Sequence, residues 1–363
     1  MTIWSDSELP DNDDINPLVE QVRTSYRNSE PLRICGSKSK SFLGHPIVGS
    51  LLDVSRHTGI MSYEPSELVL TARAGTTLRQ ITDTLAASGQ ILGFEPPWFG
   101  DKATLGGTVA CGLSGPRRPF SGSARDFVLG VKCITGKGEL MSFGGQVIKN
   151  VAGYDVSRLM VGAMGSLGVL TEVSLRVLPR HELETTLILE LDEQRALDKM
   201  IDLARLPIPI SALSYSSGLM RVRLSGTENG IASATAEIGG QDDAQGQEYW
   251  LQLKEQRLRF FSRNQMLWRV SVPATAPAMN LGEDCLIDWG GALRWVYTDM
   301  TADEMFELAR QMRGHATVYC AESHYQGERF SRLSGAVAEL HSRLKSSFDP
   351  HRILNPGIMY RDV

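Results

Sequence analysis

Apolar residues at helical spacing open the pattern: Leu18, Val19, Val22 and Tyr26, directly after Asn16-Pro17, predict a short helix. Residues 1–16, with the acidic run Asp11-Asn12-Asp13-Asp14, read as a loose tail. Three β-rich runs follow, at 32–35, 51–54 and 68–74, the first broken at Gly36. Thr76-Thr77 can cap a helix whose inner face is Leu78, Ile81, Thr82 and Leu85, and Gly89 closes it. Residues 128–135 and 139–143 flank Gly136-Lys137-Gly138 as a hairpin. A helix led by Tyr154-Asp155 carries Val156, Leu159, Met160 and Ala163, and Gly165 stops it. A long β-rich run at 169–178 ends on Pro179.

Glycine is dense before residues 179–182 and helical patterns dominate after them, which predicts a domain boundary there. Strand and helix signals alternate over 185–320 with short connections, which favours an antiparallel sheet covered by helices. Residues 331–348 form a last amphipathic helix, with Leu333, Val337, Leu340, Leu344 and Phe348 expected to face inward. The predicted class is therefore α+β, in four parts: a tail at 1–16, a first domain at 17–180, a second at 181–325, and a helix and tail at 326–363 that return to the first.

Composition narrows the function classes. With 363 residues, 42% of them hydrophobic, the chain can build two or three packed domains. A net charge of −5 argues against nucleic acid, and Arg117-Arg118 and Arg257-Leu258-Arg259 read as solvated surface. No run approaches the length of a membrane helix, and an acidic, polar start argues against a secretory signal. Five scattered cysteines (Cys35, Cys111, Cys133, Cys285, Cys320) form no cluster or zinc spacing and fit a reducing cytosol, mostly as small buried hydrophobes. No metal site is expected, because His315, His324, His341 and His351 stand in no metal-binding motif. Trp268, Trp289 and Trp295 read as apolar anchors, in the core or at an interface.

The chemistry concentrates at 94–171 and at one earlier turn. Gly36-Ser37-Lys38-Ser39 directly follows a strand, where consecutive N–H groups can form an anion-binding nest. Gly106-Gly107-Thr108 with Ser114-Gly115 is a second candidate cradle. Neither is a Walker A sequence or a Rossmann fingerprint. A turn needs one or two glycines, whereas here several adjacent positions lack side chains together, as close approach of a large ligand requires.

Taken in order, ATLGGTVACGLSG, SGSARDFVLGVKCITGKGEL, GGQVIKNVAGYDVSRLMVGAMGSLGVLTEVSLRVLP and FDPHRILNPGIMY resemble the FAD-binding fold of the vanillyl-alcohol oxidase and p-cresol methylhydroxylase type. EPPWFGDKATLGGTVACGLSGPRRPFSGSARDFVLG, LIDWGGALRW and GHAT are similar to the FAD-binding E subunits of bacterial glycolate oxidase, and the resemblance covers about residues 17–360. It implies FAD extended between two α+β subdomains, with an antiparallel cap domain. The pyrophosphate would sit on Gly36, Ser37, Lys38 and Ser39 and on Gly106-Gly107-Thr108. The ring would lie near Ser114, Gly115 and Gly122, and Pro96 and Asp126 are further expected cofactor contacts. Gly165, Gly168, Val169 and Thr171 would line the adenine and ribose side, and Asn355 would reach the flavin from the C-terminal tail. The implied partners are a second FAD-containing catalytic subunit and an iron–sulfur subunit, and the implied substrate is a small 2-hydroxy acid, glycolate. Electrons would go to a quinone-type acceptor, and any membrane contact of this cytoplasmic chain would come through those partners.

Two departures matter. The first turn holds Ser37, Lys38 and Ser39 where many relatives of this superfamily carry a flavin-linking His, which implies noncovalent FAD. No general base is identifiable; Arg117, Arg118, Arg158 and Arg294 are candidates for a substrate carboxylate, and Asp126 and Asp155 read as turn caps. Two alternatives stay open: a self-sufficient FAD oxidase of another hydroxy acid or alcohol, and a flavin-free scaffold subunit.

Overall fold

A computed structural model describes residues 13–145, 154–321 and 325–361. Residues 1–12 of the predicted 1–16 tail, the side chain of Asp155 and His324 lie outside the described residues, and the first helix, Ile15–Asn28, begins inside the predicted tail. The first region joins a parallel pair and a five-stranded sheet, with a short antiparallel pair, Gln90–Ile91 and Leu178–Pro179, beside them. Leu32–Cys35 pairs in parallel with Ser50–Asp53. A five-stranded antiparallel sheet runs in the order Ile60–Glu64, Val69–Arg73, Val169–Arg176, Val128–Ile134, Leu140–Gly144. The helix Leu78–Ala87 forms where the sequence expects it. Thr77 Oγ1 accepts from Gln80 N at 3.2 Å, and Leu78, Ile81 and Leu85 are buried in the core between the sheets.

The second region is an eight-stranded antiparallel sheet, in the order Gln241–Asp242, Leu183–Glu190, Leu219–Gly226, Ile210–Ser216, Cys285–Asp288, Leu293–Tyr297, Leu267–Ser271, His315–Cys320. Its two faces follow the period of two along each strand. Val296 points into the core shared with the helices Glu193–Leu203, Glu228–Ile238 and Ala302–Gln311. Leu293, Trp295 and Tyr297 point the other way, into a cluster that also takes Trp289, Tyr319 and the helix Gly246–Lys254. Phe42, Leu43 and Leu113 of the first region complete that cluster, so the sheet is packed on both faces.

The last helix starts later than expected, at Gly335–Phe348, and its inward face is not the one the periodicity selects. Leu344 and Phe348 pack on the first core, but Val337 and Leu340 are exposed. The buried residue of this helix is Lys345, 1% exposed, whose Nζ pairs with Asp349 at 2.8 Å. Beyond it, Leu354 bridges in parallel to Leu32, so the tail joins the first region's parallel pair.

Candidate functional site

Where the first parallel strand ends, the chain turns through Gly36, Ser37, Lys38 and Ser39 along the wall of a cavity of about 370 Å³. Thr104, Gly106, Gly107, Gly165, Gly168 and Asn355 line the same cavity, so nine of the sequence-predicted residues converge on it. Lys38 has φ +64°, a left-handed conformation that bends the loop into a concave shape. The N–H of Lys38 is held by the Cys35 thiol, while those of Gly36 and Ser37 have no protein acceptor among the described residues. Donors aimed at nothing in the protein suit an anionic ligand.

The second cradle is built differently. Gly106-Gly107-Thr108 are not loop but lie in the helix Leu105–Cys111, which the sequence reading missed because paired glycines carry low helix propensity. Leu105 N donates to Thr76 O at 2.9 Å, Gly106 N to Ala74 O at 2.7 Å and Gly107 N to Thr104 Oγ1 at 3.3 Å. These donors are already engaged, so the anion nest rests on the first loop. The glycines serve the walls themselves. A Cβ on Gly36 would lie 2.4 Å from Thr104 Oγ1, and one on Gly106 would lie 2.7 Å from Ala74 Cβ. Their missing side chains let strand and helix touch and so shape the cavity. Asn355 is likewise a strut: its Oδ1 accepts from Ile34 N at 2.8 Å and its Nδ2 donates to Met164 O at 2.7 Å. Both of its polar atoms are engaged by the protein.

Other predicted residues lie elsewhere. Thr108, Val169 and Thr171 are fully buried in the first core's elements. Pro96 is buried next to Glu95, Ser114 and Gly115 line a second small cavity, and Gly122 caps the helix Arg118–Ser121. Asp126 caps Ser123 through its N–H and hydroxyl, both at 2.8 Å, in keeping with the turn-cap reading. Ser114 Oγ accepts from Ala124 N, and Gly115 O accepts from Trp289 Nε1 at 3.0 Å. The cavity beside Ser114 and Gly115 holds about 20 Å³, the space of about one water molecule. Trp289 of the second region lines that cavity with them.

The junction of the two regions is strongly charged. Glu95, at φ +47°, accepts two bonds from Arg223 at 2.9 Å and one from Arg117 N at 2.9 Å. Burial pushes its carboxyl up, and the Arg223 and Arg117 guanidiniums more than reverse this, to about 2. Arg117 also binds Glu184 and Ser225 and is 4% exposed, which overturns the solvated-surface reading of Arg117-Arg118. Arg118 and Arg269 lie 4.2 and 5.0 Å from the Trp289 ring. Burial raises the Asp288 carboxyl to about 7, although it accepts a bond from Trp289 N. Arg294, a carboxylate candidate, is fully buried and donates to the carbonyls of Gly291, Pro277 and Ala276, which leaves it a structural residue. Sequence reading missed Lys40, which lines the main cavity, and Asp288, Arg223 and Arg269 at the junction. No spacing in the sequence separates these from ordinary surface charges.

The chain matches the family model described as an FAD binding domain over residues 13–144. It is 48% identical over 346 residues to glycolate oxidase subunit GlcE of Escherichia coli K12, covering 95% of this chain and 97% of that protein. This chain belongs to the family of glycolate oxidase subunit GlcE. It is thereby a subunit of an FAD-dependent oxidoreductase, with FAD as its cofactor. More distantly, it is 30% identical to glycolate oxidase subunit GlcD of Bacillus subtilis, over 39% of this chain and 30% of that one. It is 32% identical to D-lactate dehydrogenase of Archaeoglobus fulgidus over 38% of this chain and 31% of that one. The GlcE match spans both regions, whereas these two cover less than half of the chain. In structure, the chain is similar to alkyldihydroxyacetonephosphate synthase, with a TM-score of 0.65 at 14% identity over 96% of this chain and 75% of that one, a likeness of fold. The free N–H pair beside a cavity built from glycine contacts is the feature of this structure that fits FAD. No described helix is long and apolar enough to cross a membrane.

Proposed function

We propose that this chain is the FAD-holding subunit of a complex that oxidises glycolate to glyoxylate. Identity of 48% along both regions to a protein named as a glycolate oxidase subunit carries this reading, since it includes the second region and not only the FAD domain. Glycolate gives up two electrons and two protons in becoming glyoxylate. FAD supplies the chemistry of accepting an electron pair and releasing electrons singly. In this reading the Gly36–Ser39 loop holds the phosphates, and Gly165, Gly168 and Asn355 complete the wall. FAD is noncovalent, because the loop carries Ser37, Lys38 and Ser39 and no His. The partners are a second FAD-containing catalytic subunit and an iron–sulfur subunit that passes electrons to a quinone-type acceptor. Any approach to the membrane is made through them.

The test is co-purification of a tagged chain with its neighbours. A yellow flavin released by acid, together with co-eluting iron and a second flavoprotein, supports the reading. Glycolate should bleach the flavin of the complex and leave that of the isolated chain oxidised. An isolated chain that neither retains nor takes up FAD sinks the proposal, and full bleaching of the isolated chain by glycolate replaces it with a self-sufficient dehydrogenase.

A further inference from the structure

The cavity wall holds a buried cation that no spacing in the sequence singles out. Two lysines flank Ser39, and the fold sends them opposite ways: Lys38 is exposed, whereas Lys40 is 8% exposed and lines the cavity. Its Nζ reaches only neutral oxygens, Ser39 Oγ at 3.4 Å and Trp98 O at 3.3 Å, and lies 5.6 Å from the Phe99 ring. Neither hydrogen bond is short. No carboxylate among the described residues lies within ion-pair distance of it. Glu255 is the nearest acid in electrostatic terms, but its oxygens accept from Trp98 N, Phe99 N and Lys254 Nζ. Burial alone pushes the Lys40 ammonium down from its ordinary range; Cys111 and Glu255 oppose this. Cys111 shares the cavity wall, and burial raises its thiol to about 11, so it supplies no negative charge at neutral pH.

A buried ammonium without a counter-charge is costly unless something supplies one. The same wall carries the two free N–H groups of Gly36 and Ser37, and Ser39 links that loop to Lys40. We propose that Lys40 is the counter-cation of the FAD diphosphate, a binding residue whose charge is satisfied only when the cofactor is in place. This rests on the FAD reading above. It extends that reading by moving the charge from Lys38, the lysine of the nest motif, to Lys40 beyond it. The phosphates rather than the ring are the anion, because one of the two partners of Lys40, Ser39, belongs to the loop that carries the free N–H groups, and an oxidised flavin ring is uncharged.

The experiment uses the full-length chain stripped of flavin, as wild type and as Lys40→Met. Each is titrated with FAD and with riboflavin, which lacks phosphate, and quenching of flavin fluorescence is followed. Thermal unfolding of both cofactor-free forms is recorded alongside. Lys40→Met is expected to weaken FAD binding about tenfold to a hundredfold, the range of one charge-assisted hydrogen bond. Riboflavin binding should not change, and the cofactor-free variant should melt at the same temperature as wild type or higher. Equal FAD affinity in the two proteins overturns the proposal and leaves the FAD reading intact. An equal loss of riboflavin affinity overturns it by assigning Lys40 to the ring. A cofactor-free variant that melts several degrees lower overturns it by making Lys40 a structural cation. Failure of the wild type itself to bind FAD overturns both.

Discussion

Two lysines are buried among the described residues, and the difference between them separates structure from ligand binding. Lys345 pairs with Asp349 at 2.8 Å and donates to Ser166 O at 2.8 Å and Leu354 O at 2.7 Å. Asp349 in turn accepts from Ile353 N and Leu354 N. Every charge in that clasp is answered by the protein. Lys40 has only two long bonds to neutral oxygens. Burial by itself therefore does not mark a functional charge. What marks it is burial beside a cavity with the partner left out.

The largest test of this contrast is Asp349→Ala. It strands the Lys345 ammonium in the core, and unfolding in urea should show a loss of about 3–5 kcal/mol, opposite in sense to the unchanged or raised melting expected of Lys40→Met. A loss below about 1 kcal/mol would mean that the clasp is not what fastens the tail.

Glu95 at the junction offers a pH-dependent version. Its folded value of about 2 lies below the ordinary 4.5, so its contribution is complete above pH 4.5 and is lost as pH falls towards 2. That contribution amounts to about 3 kcal/mol. Glu95→Gln should lower stability at neutral pH and flatten the stability profile between pH 4.5 and 2 relative to wild type.

A smaller effect, about 1–3 kcal/mol, is expected for Gly106→Val, because its Cβ meets Ala74 at 2.7 Å and pushes strand from helix. FAD affinity should fall with it, and unchanged FAD affinity would show that the cavity tolerates parted walls. Smallest is Leu340→Ser. This residue is 55% exposed, so urea unfolding of the isolated chain should change by less than about 0.5 kcal/mol.

The contrast also explains what could be read in advance. The α+β class, the antiparallel sheets and the cavity loop at Gly36–Ser39 follow from strand alternation, caps and glycine placement, which are local. The inward face of the last helix does not: Leu340 and Lys345 look like core and surface, yet the clasp with Asp349 reverses them. The helix Leu105–Cys111 is hidden by its glycines: Gly106 packs against Ala74, a residue too far along the chain for a local window to join. Lys40 and Lys38 differ by two positions and carry the same charge. Only the three-dimensional path of the loop tells the buried one from the exposed one.

The bridge from Leu354 to Leu32, with Asn355 bracing Ile34 and Met164, has a consequence for biosynthesis. The wall at Gly36 leans on residues translated only after the entire eight-stranded sheet and the last helix. A nascent chain that has exposed residues 17–180 still lacks this brace, so the cavity wall is complete only once Asn355, beyond the whole second region, has been made.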